Sequence, residues 1–241
     1  MSKLRLVDES GTEVDVYSPE GVKLLAHFWI KAVCQNRLMY EPTWLGIPVI
    51  QDPNDLVMLQ ELIWRIRPDI IIETGIAHGG TAVFYASMLE LLNRGKVISI
   101  DVEIRQYNRV AISSHPLSHR IEMIEGSSTD AAVVEEVKRR VGDARKVLVT
   151  LDSNHSYDHV LKEMELYAPL VTPGSYLVAM DGIQGVLADI PMGKPEWRED
   201  NPLRAIHTFL ETHTGWEIDP QYNRMLVTTS PDGYLRRTNI Q

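Results

Sequence analysis

The chain has 241 residues, 44% hydrophobic and 24% charged, so it can bury a full domain core and is neither disordered nor collagen-like. Its formal net charge of −9 disfavours nucleic acid and anionic membrane surfaces, and we expect neither as a partner. No apolar run approaches the ~18 residues of a membrane span, and its single cysteine cannot form an internal disulfide, so we expect a cytoplasmic protein.

Residues 1–52 are predicted to form an N-terminal segment made of an arm, a helix and a loop. Residues 1–19 are polar, which is typical of an extended arm or a short edge strand. Over residues 20–36, apolar side chains recur at spacings of three and four, as on one face of an amphipathic helix. Residues 40–48 contain two prolines and a glycine and are predicted to be a structured loop. The main domain is predicted over residues 53–241.

From residue 53 onward, short apolar runs alternate with helical patterns. In chain order, the pattern predicts a helix over 53–66, a strand over 70–72, a helix over 80–93, strands over 96–100 and 120–124, a helix over 130–141, a strand over 146–151, a helix over 156–168 and a strand over 176–179. Strands that are apolar on both faces and joined by helices indicate a doubly wound, mostly parallel, Rossmann-like α/β sheet.

The C-terminal part is predicted to contain a loop, a helix and an antiparallel hairpin. Residues 182–200 carry prolines and a glycine without periodicity, which is typical of a long loop. Asn201 and Pro202 then supply a cap and a first-turn proline for a helix. Strands over 216–218 and 225–228 are expected to pair after it. The whole chain is interpreted as a single α/β domain with an N-terminal helical cap.

A glycine-rich turn after the first strand of this sheet is the strongest candidate for a ligand site. Glu73 follows the predicted strand over 70–72, and the turn after it contains Gly75, Ala77, His78 and Gly79. Glycines let the backbone approach a ligand closely, and the next helix presents free N–H groups there. The spacing resembles the first motif of class I methyltransferases that use S-adenosylmethionine (SAM). The alternative is an ordinary tight strand-to-helix turn.

Polar side chains also follow the second and third strands of the predicted sheet. Asp101 ends the second strand, where a carboxylate can accept hydrogen bonds from both hydroxyls of a ribose. Ser127 and Ser128 follow the third strand, where the edge of an adenine ring would lie. Helix capping is the alternative for all three residues. Together with the glycine turn, they are assigned to cofactor binding.

Acidic and imidazole side chains are concentrated after the fourth and fifth strands. Asp152 is predicted to bind cofactor, acceptor or metal, and His155 to accept a proton from the acceptor. Asp181 ends the next strand and could share one Mg²⁺ with Asp152. Asp158 and His159 are interpreted as surface residues. If they acted with Asp152 and His155 instead, the protein would be a metal-dependent hydrolase.

With these motifs identified, the chain resembles the cephalosporin-hydroxylase family, which also contains rhamnosyl and macrolide-sugar O-methyltransferases. The resemblance extends from about residue 44 to residue 237. The residues that carry it are Trp44–Gly46, Gln60–Ile63, Ile72–Gly75 with Gly79 and Gly80, Ser99–Asp101, Gly126–Ser128, Leu151–His155, Glu165–Val171, Asp200–Pro202 and Pro231–Arg237.

The resemblance implies a SAM-dependent O-methyltransferase that acts on a hydroxyl of a sugar or natural product, in natural product biosynthesis. It also implies a homo-oligomer and a Mg²⁺ site at Asp152, Met180 and Asp181. The family carries a second acid where this chain has Met180, and a thioether is a poor Mg²⁺ ligand, so the chain departs from the family's metal site at this position. A SAM-binding protein without catalytic activity remains a further alternative.

Overall fold

A seven-stranded sheet forms the centre of the protein in the computed structural model, which describes residues 4–238. The strands and α-helices, in chain order, are β1 (Arg5–Val7), β2 (Glu13–Asp15), α1 (Pro19–Gln35), β3 (Thr43–Trp44), β4 (Ile47–Pro48), α2 (Pro53–Ile66), β5 (Ile70–Thr74), α3 (Gly80–Leu91), β6 (Lys96–Asp101), α4 (Gln106–Ser114), β7 (Ile121–Glu125), α5 (Ala131–Val141), β8 (Val147–Leu151), α6 (Tyr157–Tyr167), β9 (Tyr176–Ala179), α7 (Pro202–Thr212), β10 (Trp216–Ile218) and β11 (Tyr234–Arg237).

The order of strands in the sheet is β10-β11-β9-β8-β5-β6-β7. Strands β5 to β9 are parallel to one another, and β11 runs antiparallel to β9 and β10. The chain runs from β5 outward to β6 and β7, then returns to place β8 on the other side of β5. This order confirms the predicted doubly wound sheet and puts its topological switch point between β5 and β8, where open α/β sheets bind ligands.

The sheet separates two apolar cores. Every residue of β5 and β8 is buried, which explains why these strands are apolar on both faces. Helices α2 and α3 contribute to the core on one face, and α5, α6 and α7 contribute to the core on the other. The rigid layer between them fixes the strand ends that carry the candidate site residues.

Two helices begin as their sequences predict. The side chain of Asp52 accepts a hydrogen bond from the backbone N–H of Asn54, at 2.8 Å, at the start of α2. The side chain of Asn201 accepts one from the N–H of Arg204, at 3.0 Å, at the start of α7. In both helices a proline follows the cap, where its missing N–H is not needed.

The predicted C-terminal hairpin has the wrong second strand. The segment 216–218 forms β10 as expected, but its antiparallel partner is β11 at Tyr234–Arg237 and not residues 225–228. β11 also pairs with β9, so it joins the hairpin to the main sheet. Its first two residues are buried and its last two are not, which hides the strand from a search for continuous apolar runs.

Two further elements differ from the sequence prediction. Helix α4 was not predicted, because among its nine residues only Asn108 and Ile112 are buried and no apolar stripe is visible. The predicted long loop over 182–200 contains two 3₁₀ helices, at Gly182–Asp189 and Pro195–Arg198. Such short i→i+3 turns leave no periodic pattern in the sequence.

The N-terminal segment forms a cap of small elements. β1 and β2 form an antiparallel pair, and β3 and β4 form another within the predicted loop over 40–48. The boundary between residues 52 and 53 stays a prediction. No helix within residues 4–238 has the length and apolar character needed to cross a membrane.

Candidate active site

A cleft lies across the carboxyl ends of the parallel strands, at the switch point of the sheet. It consists of two adjoining cavities, of about 210 and 280 Å³, and both are lined by Gly75 and Ser153. The first cavity, the inner cavity, contains Asp152, His155 and Asp181 in its wall. The second, the outer cavity, lies toward β6 and β7. The two together form an extended site with chemically different ends.

The glycine-rich turn forms the floor between the two cavities. Gly75 has a φ of +91°, and a Cβ there would lie 2.0 Å from the backbone oxygen of Asp152. Glycine is therefore required, since a side chain would collide with the end of the neighbouring strand. Ala77 and His78 line the inner cavity, and their assignment to cofactor binding stays a prediction. Gly79 is the N-cap of α3 and lines neither cavity.

Asp101 holds the glycine turn in place. Its Oδ2 accepts hydrogen bonds from the backbone N–H groups of Ile76 and Ala77, at 2.8 and 3.0 Å. The same carboxylate lines the outer cavity. Asp101 therefore contacts the turn with its Oδ2 and also lines the cavity to which we assign ribose binding.

Glu73 lies behind the turn and lines neither cavity. It is only 2% exposed, and its Oε2 accepts a hydrogen bond of 2.5 Å from Ser99 Oγ. Burial raises the pKa of Glu73 to about 8, although hydrogen bonds from Ser99 and Thr81 oppose that rise. In the structure the carboxyl is thus buried against Ser99, and a direct contact with cofactor stays a prediction.

Ser127 and Ser128 line the outer cavity, and their contact with an adenine ring stays a prediction. The Oγ of Ser128 lies 3.2 Å from Nε2 of His159, which also lines this cavity. Ser153 Oγ lies 3.1 Å from the same nitrogen and donates a hydrogen bond to the buried Glu163. This network makes His159 part of the outer cavity, a role that the sequence analysis did not assign.

An acid–imidazole–acid group forms one wall of the inner cavity. The imidazole of His155 lies between two carboxylates, with Nδ1 at 3.1 Å from Asp181 Oδ2 and Nε2 at 3.4 Å from Asp152 Oδ1. The three side chains are partly exposed, at 35%, 27% and 21% respectively. Asp181 has a φ of +57°, a conformation unusual for a residue with a side chain and typical of functional sites.

The electrostatics of this group favour an imidazolium. Burial opposes the charge on His155, but the carboxylates of Asp181 and Asp152 outweigh it and raise the pKa of His155 to about 9. Burial raises the pKa of Asp152 to about 6, with His155 acting against that rise. At neutral pH we therefore assign the positive charge to His155, because two carboxylates face it.

The donor set fits a divalent cation. One ligand atom each from Asp152, His155 and Asp181 lies within 4.8 Å of the others, and two of these three residues offer the carboxylate oxygens that Mg²⁺ prefers. Met180, by contrast, is buried and its Sδ accepts a hydrogen bond of 3.3 Å from Gln51 Nε2. The thioether adds no hard ligand to the site.

Two residues that contact or line the inner cavity were not identified from the sequence. Gln51 Nε2 also donates to Asp152 Oδ2, at 2.9 Å, and so orients that carboxylate. Thr229 lines the inner cavity, and the buried Asp55 fixes it by accepting from both its N–H and its hydroxyl, at 2.7 and 3.0 Å. Both residues lie in irregular segments, where no local pattern marks them.

The hydrolase set does not assemble. In the part of the chain that the structure describes, the candidate metal-ligand group contains Asp152, His155 and Asp181. His159 faces Ser128 and Ser153 instead, and Asp158 is exposed.

The comparisons of the sequence with known proteins identify one family. Residues 36–238 match the family described as Rhamnosyl O-methyltransferase/CmcI. The chain is 28% identical over 241 residues to the rhamnosyl O-methyltransferase of Mycobacterium tuberculosis, covering 97% of this chain and 92% of that protein. It is 35% identical over 141 residues to the rhamnosyl O-methyltransferase of Mycobacterium leprae, covering 58% of this chain and 59% of that protein.

Solved structures of CmcI share the fold. An apo structure of CmcI superposes with a TM-score of 0.60 and 18% identity, covering 83% of this chain and 78% of that chain. A structure of CmcI with Mg and SAM gives a TM-score of 0.59 and 18% identity, with the same coverage. These matches support the class I methyltransferase type of the sheet.

Proposed function

The chain belongs to the rhamnosyl O-methyltransferase/CmcI family, and from that premise we propose that it is a SAM-dependent O-methyltransferase acting on a hydroxyl of a sugar or small natural product. One observation carries the proposal. The acid–imidazole–acid group of His155, Asp152 and Asp181 faces a cleft that continues over the glycine turn to Asp101. This arrangement supports the proposal of a base and a nucleotide-binding edge within one site.

The outer cavity is assigned to the nucleoside half of SAM. Asp101 accepts from the ribose hydroxyls, and Ser127 and Ser128 face the adenine, which is the arrangement expected at strand ends of this type of sheet. The methionine half lies over the glycine turn, past Ala77 and His78. SAM supplies an activated methyl group on a sulfonium, so the protein's contribution is chiefly positioning.

His155 is assigned the role of general base. The acceptor hydroxyl is oriented by Asp152 and gives its proton to His155 as the methyl group transfers. The base must first be neutral, although the two carboxylates favour its imidazolium form. Asp152 and Asp181 would hold a Mg²⁺, which would stabilise charge at the acceptor oxygen and would lower the pKa of His155 by repulsion. The sulfonium of bound SAM would shift the pKa of His155 in the same direction, toward the neutral base.

Binding and turnover together test the proposal. Calorimetric titration should show that SAM and S-adenosylhomocysteine bind. Incubation with SAM carrying a deuterated methyl group and a methyl rhamnoside should give a product with one added labelled methyl group by mass spectrometry. Copurified zinc with no SAM binding would favour the hydrolase alternative. Binding without turnover on any hydroxyl acceptor would favour a non-catalytic homologue.

Removing the carboxylate of Asp101 is expected to weaken SAM binding. The Asp101→Ala variant loses the ribose acceptor and the support of the turn, so the free energy of SAM binding should weaken by about 1–3 kcal/mol. The Kd for SAM should therefore rise roughly 5- to 150-fold. Asp101→Asn keeps one oxygen acceptor and should lose less. Glu125→Ala is the control, since that carboxylate ends the adjacent strand but lines neither cavity. Calorimetry with equal SAM affinity in all variants would contradict the assignment.

A further prediction concerns the metal. The Met180→Glu variant places a third carboxylate beside Asp152 and Asp181, and its Mg²⁺ affinity should rise roughly tenfold because an oxygen ligand replaces a thioether. Met180→Leu keeps the apolar volume and should leave the affinity unchanged. Titration of Mg²⁺ by calorimetry measures both variants. Activity that is unaffected by chelators in the wild type would point to a metal-free reaction.

Trp197 is expected to contact the acceptor. It lies in the second 3₁₀ helix of the segment 182–200, which leaves β9 beside His155, and it is partly buried. Trp197→Ala should raise the acceptor KM roughly tenfold, the equivalent of ~1.4 kcal/mol of lost contact, with SAM affinity unchanged. Trp64→Ala is the matched control, because Trp64 is 52% exposed on α2. A lower Tm with unchanged acceptor kinetics would show instead that Trp197 is a packing residue.

The proposal extends to the setting of the enzyme. We propose a homo-oligomer, which the exposed apolar side chains of Val22, Leu25 and Trp29 on α1 support, since they lie at spacings of three and four. Its single cysteine, Cys34, is buried and free, which suits the reducing cytoplasm that we propose as its location. We also propose that its acceptor is a compound of natural product biosynthesis.

A further inference from the structure

A third cavity, which we call the apolar cavity, lies behind His155 on the side away from the glycine turn. Its volume is about 180 Å³, and cavities of about 150 Å³ are known to hold a benzene ring. Its lining contains two charged side chains, His155 and Asp181, and the polar side chains of Tyr40, Gln184 and Thr229. The other lining side chains are apolar and belong to Cys34, Met39, Ile183, Leu187, Ile190, Met192 and Trp197.

The apolar cavity and the inner cavity have a common wall. Met39, Tyr40, His155, Asp181 and Thr229 line both of them. A molecule in the apolar cavity could therefore present a hydroxyl to the imidazole of His155 at the wall that the two cavities share.

The part of the apolar cavity wall that follows β9, residues 187–192, is joined to α1 by two contacts. Lys31 Nζ lies 2.7 Å from Asp189 Oδ2, and the Lys31 side chain is only 15% exposed. The backbone N–H of Met192 donates to Gln35 Oε1 at 3.0 Å. These contacts join the segment after β9 to the N-terminal helix on both sides of Ile190. The apolar walls are thus held in place by a second part of the chain.

We propose that the apolar cavity binds an alkyl or aryl substituent of the acceptor, so that the enzyme methylates hydroxyl groups of acceptors with an apolar body and discriminates against free polyhydroxylated sugars. The inference rests on the proposed function, because it needs His155 to face the reacting hydroxyl. Its physical basis is that apolar groups gain free energy when they leave water, whereas hydroxyl groups placed against Leu187 and Ile190 would lose hydrogen bonds to water.

An alkyl series measures the apolar cavity directly. Alkyl rhamnosides from methyl to pentyl are titrated into the full-length protein by calorimetry, with and without S-adenosylhomocysteine. Each added methylene should tighten binding about fourfold while the chain still fits. In Leu187→Asn the dependence on chain length should be strongly reduced with unchanged S-adenosylhomocysteine affinity. Leu91→Asn, at a residue that is 73% exposed on α3, should keep the full dependence.

The single cysteine reports occupancy without any need for activity or for a variant. Cys34 is 7% exposed and lines the apolar cavity, so bound alkyl groups should shield it from a small thiol reagent. The rate of modification by methyl methanethiosulfonate, followed by mass spectrometry, should fall with pentyl rhamnoside at a concentration where methyl rhamnoside has little effect.

Three outcomes are distinguishable. The inference is supported if binding affinity depends on alkyl chain length in the wild type and in Leu91→Asn but not in Leu187→Asn, and if bound alkyl groups protect Cys34. SAM binding and methyl transfer with no chain-length dependence would overturn the inference and leave the proposed function intact. Alkyl binding and Cys34 protection without any affinity for SAM would overturn the proposed function, and with it the assignment of the apolar cavity to an acceptor.

Discussion

Replacing His155 with glutamine is expected to lower kcat for methyl transfer by about 10²- to 10⁴-fold, the contribution of a positioned general base. Glutamine can keep hydrogen bonds to Asp152 and Asp181 but cannot accept the acceptor's proton at neutral pH. The affinity for SAM should change little, because His155 lines the inner cavity on the acceptor side. Single-turnover kinetics and calorimetry separate the two quantities.

The pH dependence distinguishes a base from a structural residue. The carboxylates of Asp181 and Asp152 keep His155 protonated at low and neutral pH, so wild-type kcat/KM should rise as pH increases and the imidazole becomes neutral. That rise should be absent in His155→Gln. The control is His207→Gln on α7, since His207 also pairs with a carboxylate, Asp232, at 3.1 Å but lies outside the cavities of the cleft. A wild-type pH profile that persists in His155→Gln would assign the proton transfer to another group.

The predictable part of the site was the part with local sequence signals. The glycine turn and the acid at the end of β6 follow buried strands, and parallel strands bring their carboxyl ends to one edge of the sheet. That rule alone placed Asp152 and Asp181 side by side, and the structure brings both within 3.4 Å of His155. Short-range pattern and sheet topology were enough for these residues.

The unpredicted part depends on contacts between distant segments. Gln51 reaches Asp152 from a segment 101 residues earlier, and Asp55 fixes Thr229 from 174 residues away. No periodicity marks such pairs, because their partners are brought together only when the sheet has formed. The pairing of β11 with β9 has the same origin. It is set by the antiparallel register of Leu235 with Leu177 and not by any turn between neighbouring strands.

Glu73 is a residue of the glycine-turn motif whose surroundings the sequence did not predict. The sequence assigned this carboxyl to cofactor binding, and that assignment stays a prediction. In the structure the carboxyl is buried and accepts a hydrogen bond from Ser99. Burial keeps the carboxyl protonated near neutral pH, so the folded protein binds a proton that the unfolded chain would release. The free energy of unfolding should therefore depend on pH.

Wild-type stability should therefore depend on pH through Glu73. The folded protein keeps this proton up to about pH 8, whereas an unfolded chain loses it near pH 4.5. Between these values the folded state binds more protons, so the free energy of unfolding falls as pH rises. Glu73→Gln cannot ionise and should escape this loss. Relative to the wild type it should gain stability with rising pH, by roughly 5 kcal/mol at most near pH 8, from ~1.4 kcal/mol for each pH unit.

Chemical denaturation of the ligand-free protein between pH 5 and pH 9 provides the measurement. The difference in unfolding free energy between Glu73→Gln and wild type should be close to zero at pH 5 and should increase steadily toward pH 8, because all other titrating groups are shared. Glu90→Gln is the control with the opposite sign. Arg120 lowers the pKa of the exposed Glu90 carboxyl, so Glu90→Gln should have a slightly lower free energy of unfolding than the wild type above pH 5. This small deficit should persist at high pH. A difference for Glu73→Gln that is independent of pH would mean that the carboxyl is ionised in the folded protein, which would favour a direct charge contact with the cationic end of SAM.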